Sequence, residues 1–218
     1  MLKANFITAQ EAAEKIQDGS TLCTIGMTLV SASESILKAI EKRFETVGHP
    51  ADITLVHSCG QSDRKDGIQH LAHEGLVKRI VGSHWGLQPR WMEMIANSQV
   101  EAYCLPQGQI AQLYRSMACG LPGKMSKVGL GTFIDPRVEG GKMNDRTKPL
   151  PDIVDILEYG GEEYMFYKEI PLDTVLIRGT VCDEMGNLTT TEEAMKLEVL
   201  PAVLAAKRYG GRVIAQVK

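Results

Sequence analysis

Residues 104–123 read CLPQGQIAQLYRSMACGLPG, and the stretch begins at the end of an apolar strand-like run at 100–105. The Pro-Gln-Gly at 106–108 predicts a turn, and the apolar residues that follow have helical spacing up to Gly-Leu-Pro-Gly. A strand that passes through a polar turn into a helix is the repeating unit of a parallel α/β sheet. Such sheets bind ligands beyond the carboxyl ends of their strands, so this turn is a candidate ligand site.

The same alternation recurs along the chain. Strands are predicted at 20–25 (STLCTI), 52–58 (DITLVHS) and 78–83 (KRIVGS), and helical patterns separate them. Right-handed crossovers then place helices on both faces. The fold class is therefore α/β, with an open, mostly parallel sheet.

The predicted helices have identifiable starts and core faces. Thr8-Ala-Gln-Glu11 is a capping box, and Ser31 or Ser33 is placed to cap the second helix. Gln88-Pro89 opens a third helix, because proline costs no hydrogen bond in a first turn. The predicted core faces comprise Ile36, Leu37, Ile40 and Phe44 on the second helix, and Trp91, Met92 and Ile95 on the third.

The pattern changes after residue 135. Residues 126–133 (SKVGLGTF) predict a strand leading into a polar loop or excursion over about 135–170. The runs IVDILEY and EYMFYKEIP flank Gly160-Gly161, which predicts an antiparallel hairpin. A helix over 192–207, broken or bent by Pro201, and a final strand RVIAQV complete residues 1–218 as one α/β domain. A domain normally finishes with a helix or a tail, so this ending is typical of half of a larger protein.

Composition excludes several classes of protein. The chain is 44% hydrophobic and 23% charged, with a net charge of -3 and a pI of about 6.0. These values are typical of a soluble globular protein and lack the basic character of a nucleic-acid binder. No apolar run is long enough to span a membrane, and the N-terminus lacks the apolar core of a secretory signal. We therefore expect a cytoplasmic protein without nucleic-acid or membrane partners.

Cysteines and histidines do not form a metal pattern. Five cysteines are present without any CxxC pair, which favours buried reduced thiols over metal or redox chemistry. His70 and His73 lie three apart on a possible helix, but no third ligand is in register. A solvated or hydrogen-bonded histidine pair is therefore expected, and no metal site.

The glycine-rich turns are weaker signals. The first strand–helix turn, IGMTLVSAS, contains Gly26 and could present backbone N–H groups to an anion at a helix N-terminus, or it could simply hold capping serines. Gly129-Leu-Gly131 is a fragment of a glycine-rich loop, which is more often a turn. Glu192 and Glu193 follow three threonines, where they favour a helix start. From the residues alone, no reaction follows.

Longer motifs add a family resemblance. Residues 105–123 and 128–144, LPQGQIAQLYRSMACGLPG and VGLGTFIDPRVEGGKMN, resemble the family I coenzyme A transferases of the acetate/propionate type. Residues 178–189, RGTVCDEMGNLT, are similar to the same family's Arg-Gly-Thr…Asp…Gly-Asn hairpin. AEKIQDGSTLCTIGM and GGRVIAQVK resemble the opening and the closing strand of its first half.

The resemblance implies a two-step CoA exchange. A family glutamate attacks an acyl-CoA thioester, and a glutamyl-CoA thioester then passes CoA to a second acid. Acyl-CoA and small carboxylic acids (acetate, propionate or acetoacetate) are thus the expected partners, and coenzyme A is a substrate rather than a permanently bound cofactor. The expected substrate- and CoA-binding residues are Gly26, Pro106, Gln107, Gly108, Gly129, Gly131 and Thr132.

One departure limits the prediction. The family nucleophile lies in a Glu-Asn-Gly-like turn of the second half, and this sequence has no such turn. We therefore expect an α-subunit-like first half with no catalytic residue of its own. It is expected to need a β-like second half, either as another domain or as another subunit, and to form a homo- or hetero-oligomer. An acyl-CoA hydrolase of the same fold, and a non-catalytic sugar-phosphate or nucleotide sensor on a related sheet, remain alternatives.

Overall fold

The computed structural model describes residues 3–218. Its nine strands and five α-helices follow in chain order: α1 Ala9–Glu14, β1 Thr21–Thr24, α2 Glu34–Val47, β2 Ile53–Val56, β3 Val77–Gly82, α3 Pro89–Ala96, β4 Glu101–Cys104, α4 Gln107–Ala118, β5 Gly123–Ser126, β6 Val154–Tyr159, β7 Glu162–Lys168, β8 Thr174–Arg178, α5 Val199–Arg208 and β9 Arg212–Gln216. A short 3-10 helix, Gly67–Leu71, lies between β2 and β3. The capping box at Thr8 and Glu11 is confirmed.

The main sheet has six strands in the order β4-β3-β2-β1-β8-β9, and every neighbouring pair is parallel. Side chains alternate between its two faces, so each face has its own core. One core packs α1, α2 and α3 against residues such as Leu22 and Leu55. The other packs α4, α5 and the small sheet against residues such as Cys23 and Val56. The predicted open sheet with helices on both faces is confirmed.

A second, three-stranded antiparallel sheet, in the order β5-β7-β6, forms the predicted excursion. The hairpin across Gly160-Gly161 is confirmed, but the strand predicted at 126–133 is wrong. Only Ser126 of that segment belongs to β5. Gly129 and Gly131 have φ of +101° and +69°, a left-handed backbone that does not occur in a regular strand.

The polar segment after β5 covers the edge of the main sheet. The Cys104 backbone N–H donates to the Gly141 carbonyl at 2.7 Å, and the Met143 N–H donates to Ala102 at 3.0 Å. Gly141 is required here, since its φ is +71° and a Cβ would lie 2.6 Å from the Cys104 oxygen. The exposed donors and acceptors of β4 are thereby paired, which protects an edge strand from association.

Three further details differ from the sequence-based expectations. The helix predicted over 192–207 begins only at Val199, so Glu192 and Glu193 do not cap it. Pro201 lies in its first turn, where a missing N–H breaks no helical bond, and it does not interrupt the helix. In α3, Met94 is buried in place of Met92, which is 52% exposed.

None of the helices within residues 3–218 is both long enough and apolar enough to cross a membrane.

Candidate functional site

The strand order creates a reversal point in the sheet. From β1 the chain proceeds outward through β2, β3 and β4, and β8 and β9 are then added on the other side of β1. The loops that leave β1 and β8 therefore diverge at their carboxyl ends. Open α/β sheets bind ligands in this crevice, so the carboxyl edge around β1 is the candidate site.

Pro106 is the N-cap residue of α4, and Gln107 and Gly108 form the first turn of that helix. The predicted Pro-Gln-Gly turn is therefore reduced to Pro106, because the helix already begins at Gln107. Gln107 is exposed, and the space beside Gly108 is open, because a Cβ added there would meet no atom within 4 Å. Within residues 3–218, the backbone N–H groups of Gln107 and Gly108 have no acceptor. Two free donors at the positive end of a helix dipole suit an anionic oxygen.

Gly26 follows β1 and is buried against Gln61. A Cβ at Gly26 would lie 3.1 Å from Gln61 Oε1, so glycine permits this close approach. The Gln61 amide Nε2 donates to the Thr24 carbonyl (2.9 Å) and to Thr24 Oγ1 (3.0 Å). The Thr24 carbonyl can only accept a hydrogen bond, so the NH₂ group of Gln61 must face it, and this fixes the orientation of the amide. The other amide atom, Oε1, then faces Gly26 without a hydrogen-bond partner.

The first strand–helix turn satisfies many of its own backbone donors. The Met27 and Thr28 N–H groups donate to Val30 (3.0 Å) and Gly60 (3.0 Å) carbonyls. Ser33 is the N-cap residue of α2, but its hydroxyl donates to the Ile177 carbonyl of β8 at 2.9 Å and caps no helical N–H. The serine therefore ties the turn to the neighbouring strand.

A buried histidine supports the carboxyl end of β2. His57 is fully buried, with Nδ1 2.9 Å from the Cys59 carbonyl and Nε2 accepting from Trp85 Nε1 at 3.1 Å. Burial lowers the pKa of His57 to about 4, the Cys59 carbonyl opposes the shift, and His84 adds to it. Since neutral imidazole offers one donor and one acceptor, both are used, and His57 is a structural group rather than a proton carrier.

The loop around Gly129, Gly131 and Thr132 is held from within. The Gly131 N–H donates to Asp135 Oδ2 (2.9 Å), and Thr132 donates through both N–H and Oγ1 to the Gly129 carbonyl (3.1 and 2.8 Å). Asp135 is 1% exposed and accepts from Arg137 Nη2 at 2.8 Å. The Arg137 guanidinium holds the pKa of Asp135 well below its usual range, so the carboxylate stays charged.

The expected site residues do not form one compact cluster. Gly26 follows β1, whereas Pro106, Gln107 and Gly108 follow β4, three strand spacings or about 14 Å away. The Gly129–Thr132 loop is linked to the β4 end through Gly141, whose N–H donates to Phe133 and whose carbonyl accepts from Cys104. Together these residues line parts of one edge.

Other polar residues at this edge were missed. Arg178 ends β8, and Gln61 and Gln88 are buried beyond β2 and β3. The polar run HSCGQ directly after the second strand was a usable signal for Gln61. Arg178 lies within the quoted RGT motif, but the pairing of its strand, β8, with β1 could not be inferred from sequence.

His70 and His73 form a cluster with carboxylates of α2. His70 contacts Glu41 through Nδ1, and its Nε2 lies 2.8 Å from Glu34. His73 Nε2 lies 2.8 Å from Glu41, so the hydrogen-bonded interpretation of the pair is confirmed. These side chains and nearby carboxylates include two groups of three whose atoms lie within 4.8 Å of one another, but Lys38 pairs with Glu34 at 3.1 Å. The absence of a metal site remains a prediction.

All five cysteines are free, but the expectation that they are buried is wrong for three of them. Cys23 and Cys59 are buried, whereas Cys119 is exposed.

Comparison with known proteins shows which family this chain resembles. Residues 6–217 match the family described as Coenzyme A transferase. The chain is 43% identical to caffeate CoA-transferase of Acetobacterium woodii, over 99% of this chain and 41% of that protein. The YdiF acyl-CoA transferase of E. coli O157:H7, solved as a thioester complex with CoA, superimposes with a TM-score of 0.93 at 36% identity, over 97% and 41% of the two chains.

Acetate CoA-transferase subunit alpha of Escherichia coli K12 is 25% identical over 94% of this chain and 83% of that subunit. The chain thus spans about two fifths of the first two relatives and most of the third. This chain belongs to the coenzyme A transferase family.

Proposed function

We propose that this chain forms the first, α-subunit-like half of an acyl-CoA:carboxylate CoA-transferase. The match to most of a subunit named alpha is the observation that carries the proposal. A second half, in another domain or another subunit, supplies the nucleophilic glutamate and completes an oligomer. Residues 1–218 act as one α/β unit of this enzyme, and no residue of this chain forms the covalent intermediate.

The reaction proceeds by exchange at a carboxylate. The glutamate attacks the thioester carbonyl and expels CoA thiolate, which leaves an acyl-glutamyl anhydride. The thiolate then attacks the glutamyl carbonyl and releases the first acid. A second carboxylate attacks the resulting glutamyl-CoA thioester, and the returning thiolate forms the new acyl-CoA and regenerates the glutamate.

This half contributes donors to the oxyanions of those steps. The free N–H groups of Gln107 and Gly108 and the Gln107 amide lie at the positive end of α4, and they offer hydrogen bonds where negative charge develops. The N–H groups of Gly131 and Thr132 are already used within their loop. We therefore assign Gly129, Gly131 and Thr132 to shaping the wall of the site, with Gly26 permitting the approach of Gln61.

The substrates are acyl-CoA and a small carboxylic acid of the acetate, propionate or acetoacetate class. The 43% identity to a caffeate CoA-transferase makes an aryl acid a necessary member of any substrate panel. Coenzyme A enters and leaves as a substrate.

An exchange assay tests this proposal. The chain, alone and combined with a second half, is incubated with acetyl-CoA and propionate, acetoacetate or caffeate, and acyl-CoA products are separated by chromatography. We expect new acyl-CoA only with both halves present. Release of free CoA and acetate without a new acyl-CoA would instead identify a hydrolase, and an inert but folded complex with every acid would reject the proposal.

A further inference from the structure

Arg178 occupies the reversal point of the sheet. It is the last residue of β8, and β8 pairs directly with β1 through Cys23–Val175 and Thr24–Leu176. Its side chain therefore starts from the carboxyl edge beside the crevice, where open α/β sheets bind ligands. The exchange steps described above do not use this guanidinium.

One side of the guanidinium is held in place. Arg178 Nε lies 3.3 Å from Glu193 Oε1, and the Glu193 side chain is only 7% exposed. The Ser31 hydroxyl, in the loop that follows β1, lies 3.4 Å from Glu193 Oε2 and 3.1 Å from the Met195 carbonyl. Glu193 thus joins Arg178 to the loop on the other side of the crevice and orients the arginine.

The other side of the guanidinium is free. Within residues 3–218, Arg178 Nη1 and Nη2 contact no acceptor, and 34% of the side chain is exposed. Two parallel N–H donors with a fixed orientation match the two oxygens of a carboxylate or a phosphate.

A second unpaired polar group lies at the end of β1. Gln61, 1% exposed, lies on the opposite side of the β1 end with its Oε1 unpaired and directed at Gly26. Buried polar atoms are almost always hydrogen-bonded, so an unpaired oxygen at this position is unusual. An acceptor does not attract an anion, so the free donors of Arg178 are the groups at this edge that suit one.

We propose that Arg178 anchors the anionic group of a substrate at the β1–β8 crevice, through Nη1 and Nη2, with Glu193 as its positioning residue. The anion is the carboxylate of the acid or a phosphate of coenzyme A. This inference rests on the proposed function for the identity of the ligand, and on the geometry alone for the site.

The chain supplies a matched control. Arg79 donates through Nε to Glu101 at 2.7 Å, and the exposed fractions of that pair, 34% and 8%, are close to those of Arg178 and Glu193. Glu101 is the first residue of β4, so this second pair lies at the opposite, amino end of its strand. Substitution of either arginine removes the same kind of ion pair, but only Arg178 lies at the crevice.

The test is a calorimetric titration of propionate and of coenzyme A into the chain and its variants. We expect one probe to bind, with affinity weakened about ten- to hundredfold in Arg178→Gln and unchanged in Arg79→Gln. A propionate effect identifies a carboxylate site, and an effect on coenzyme A alone identifies a phosphate site. Arg178→Lys, which keeps the charge without the paired donors, is expected to bind with intermediate affinity.

Failure of the proposed Arg178 anion site can be distinguished from failure of the proposed CoA-transferase function. Equal affinity in Arg178→Gln and the unmodified chain, or binding of neither probe, overturns the anion site. Loss of binding in Arg178→Gln, in a protein that never exchanges CoA, would keep the site and reject the transferase. Thermal unfolding of each variant checks folding, and Arg178→Lys decides the question if Arg178→Gln does not fold.

Discussion

Gln107 is a predicted site residue that the structure places at the exposed start of α4. Its side chain is exposed in the first turn of α4, and nothing in the core depends on it. Replacement by alanine should therefore leave the unfolding temperature nearly unchanged. Loss of one oxyanion donor should lower the turnover of CoA exchange by about 10²–10³-fold.

Gln112→Ala is the matched control, because Gln112 is an exposed glutamine on the same helix. Exchange rates and thermal unfolding are measured for both variants. If Gln107→Ala unfolds the chain, or exchanges CoA as fast as Gln112→Ala, then Gln107 has no role in the site.

Asp135 is a residue whose role only the structure revealed. It accepts from Gly131 N–H and from three nitrogens of Arg137, and it is 1% exposed. Asp135→Asn should destabilise the fold by about 1–3 kcal/mol. This range is below that of a fully buried ion pair, because the Arg137 side chain is half exposed and water screens its charge.

Urea unfolding measures this loss of stability, and hydrogen exchange of residues 129–135 should show faster opening in the variant. Glu163→Gln, which weakens only the exposed side of the Arg137 network, is the control. An Asp135→Asn chain as stable as Glu163→Gln would contradict the account.

At the scale of elements, periodicity and turn residues were sufficient for most of the sheet. The strands around Cys23, Leu55 and Ile80 and the hairpin at Gly160-Gly161 were predictable, because apolar runs bounded by turn residues leave few alternatives. The start of α5 was not. Pro201 reads as a helix breaker in sequence, but it is harmless in a first turn, and only tertiary packing shows where that turn lies.

The contact between the 3-10 helix Gly67–Leu71 and α2 is expected to depend on pH. Burial alone would lower the pKa of His70, but its hydrogen bonds with Glu41 and Glu34 outweigh that effect and raise it. A raised folded-state pKa stabilises the protein below the unfolded value of about 6.5, and this stabilisation is lost as the pH rises through the folded value.

His70→Gln should therefore cost about 1–3 kcal/mol at pH 6 and less at pH 9, as measured by urea unfolding. The control is His49→Gln, which removes an exposed pair with Asp18. A His70→Gln deficit that stays constant from pH 6 to pH 9 would show that the imidazole charge does not stabilise this cluster.

At the scale of the whole molecule, the candidate site depends on strand order. Sequence predicted the Pro-Gln-Gly helix start and the glycine loops, but it could not show that β8 inserts beside β1. Arg178, Glu193 and Ser31 are therefore brought together across more than 140 positions by a topology that no local pattern specifies. The same order places the strands that lead to Gly26 and Gln107 three inter-strand spacings apart, about 14 Å, although the motifs had grouped the two residues.

Exposed leucines give a further whole-molecule prediction. Leu200 and Leu204 lie one turn apart on α5, with 67% and 49% of their surface exposed. We expect the isolated chain to self-associate in sedimentation velocity, and Leu200→Ser with Leu204→Ser to shift it toward monomer. A chain that sediments as a monomer at every concentration would contradict this expectation.

The central claim is that this half binds and orients, whereas the other half forms the covalent bond to CoA. Mass spectrometry of the two halves after incubation with acyl-CoA tests it most directly. We expect a CoA thioester on a glutamate of the second half and none on this chain. A CoA adduct on a carboxylate of this chain, such as Glu192, Glu193 or Glu198, would contradict it.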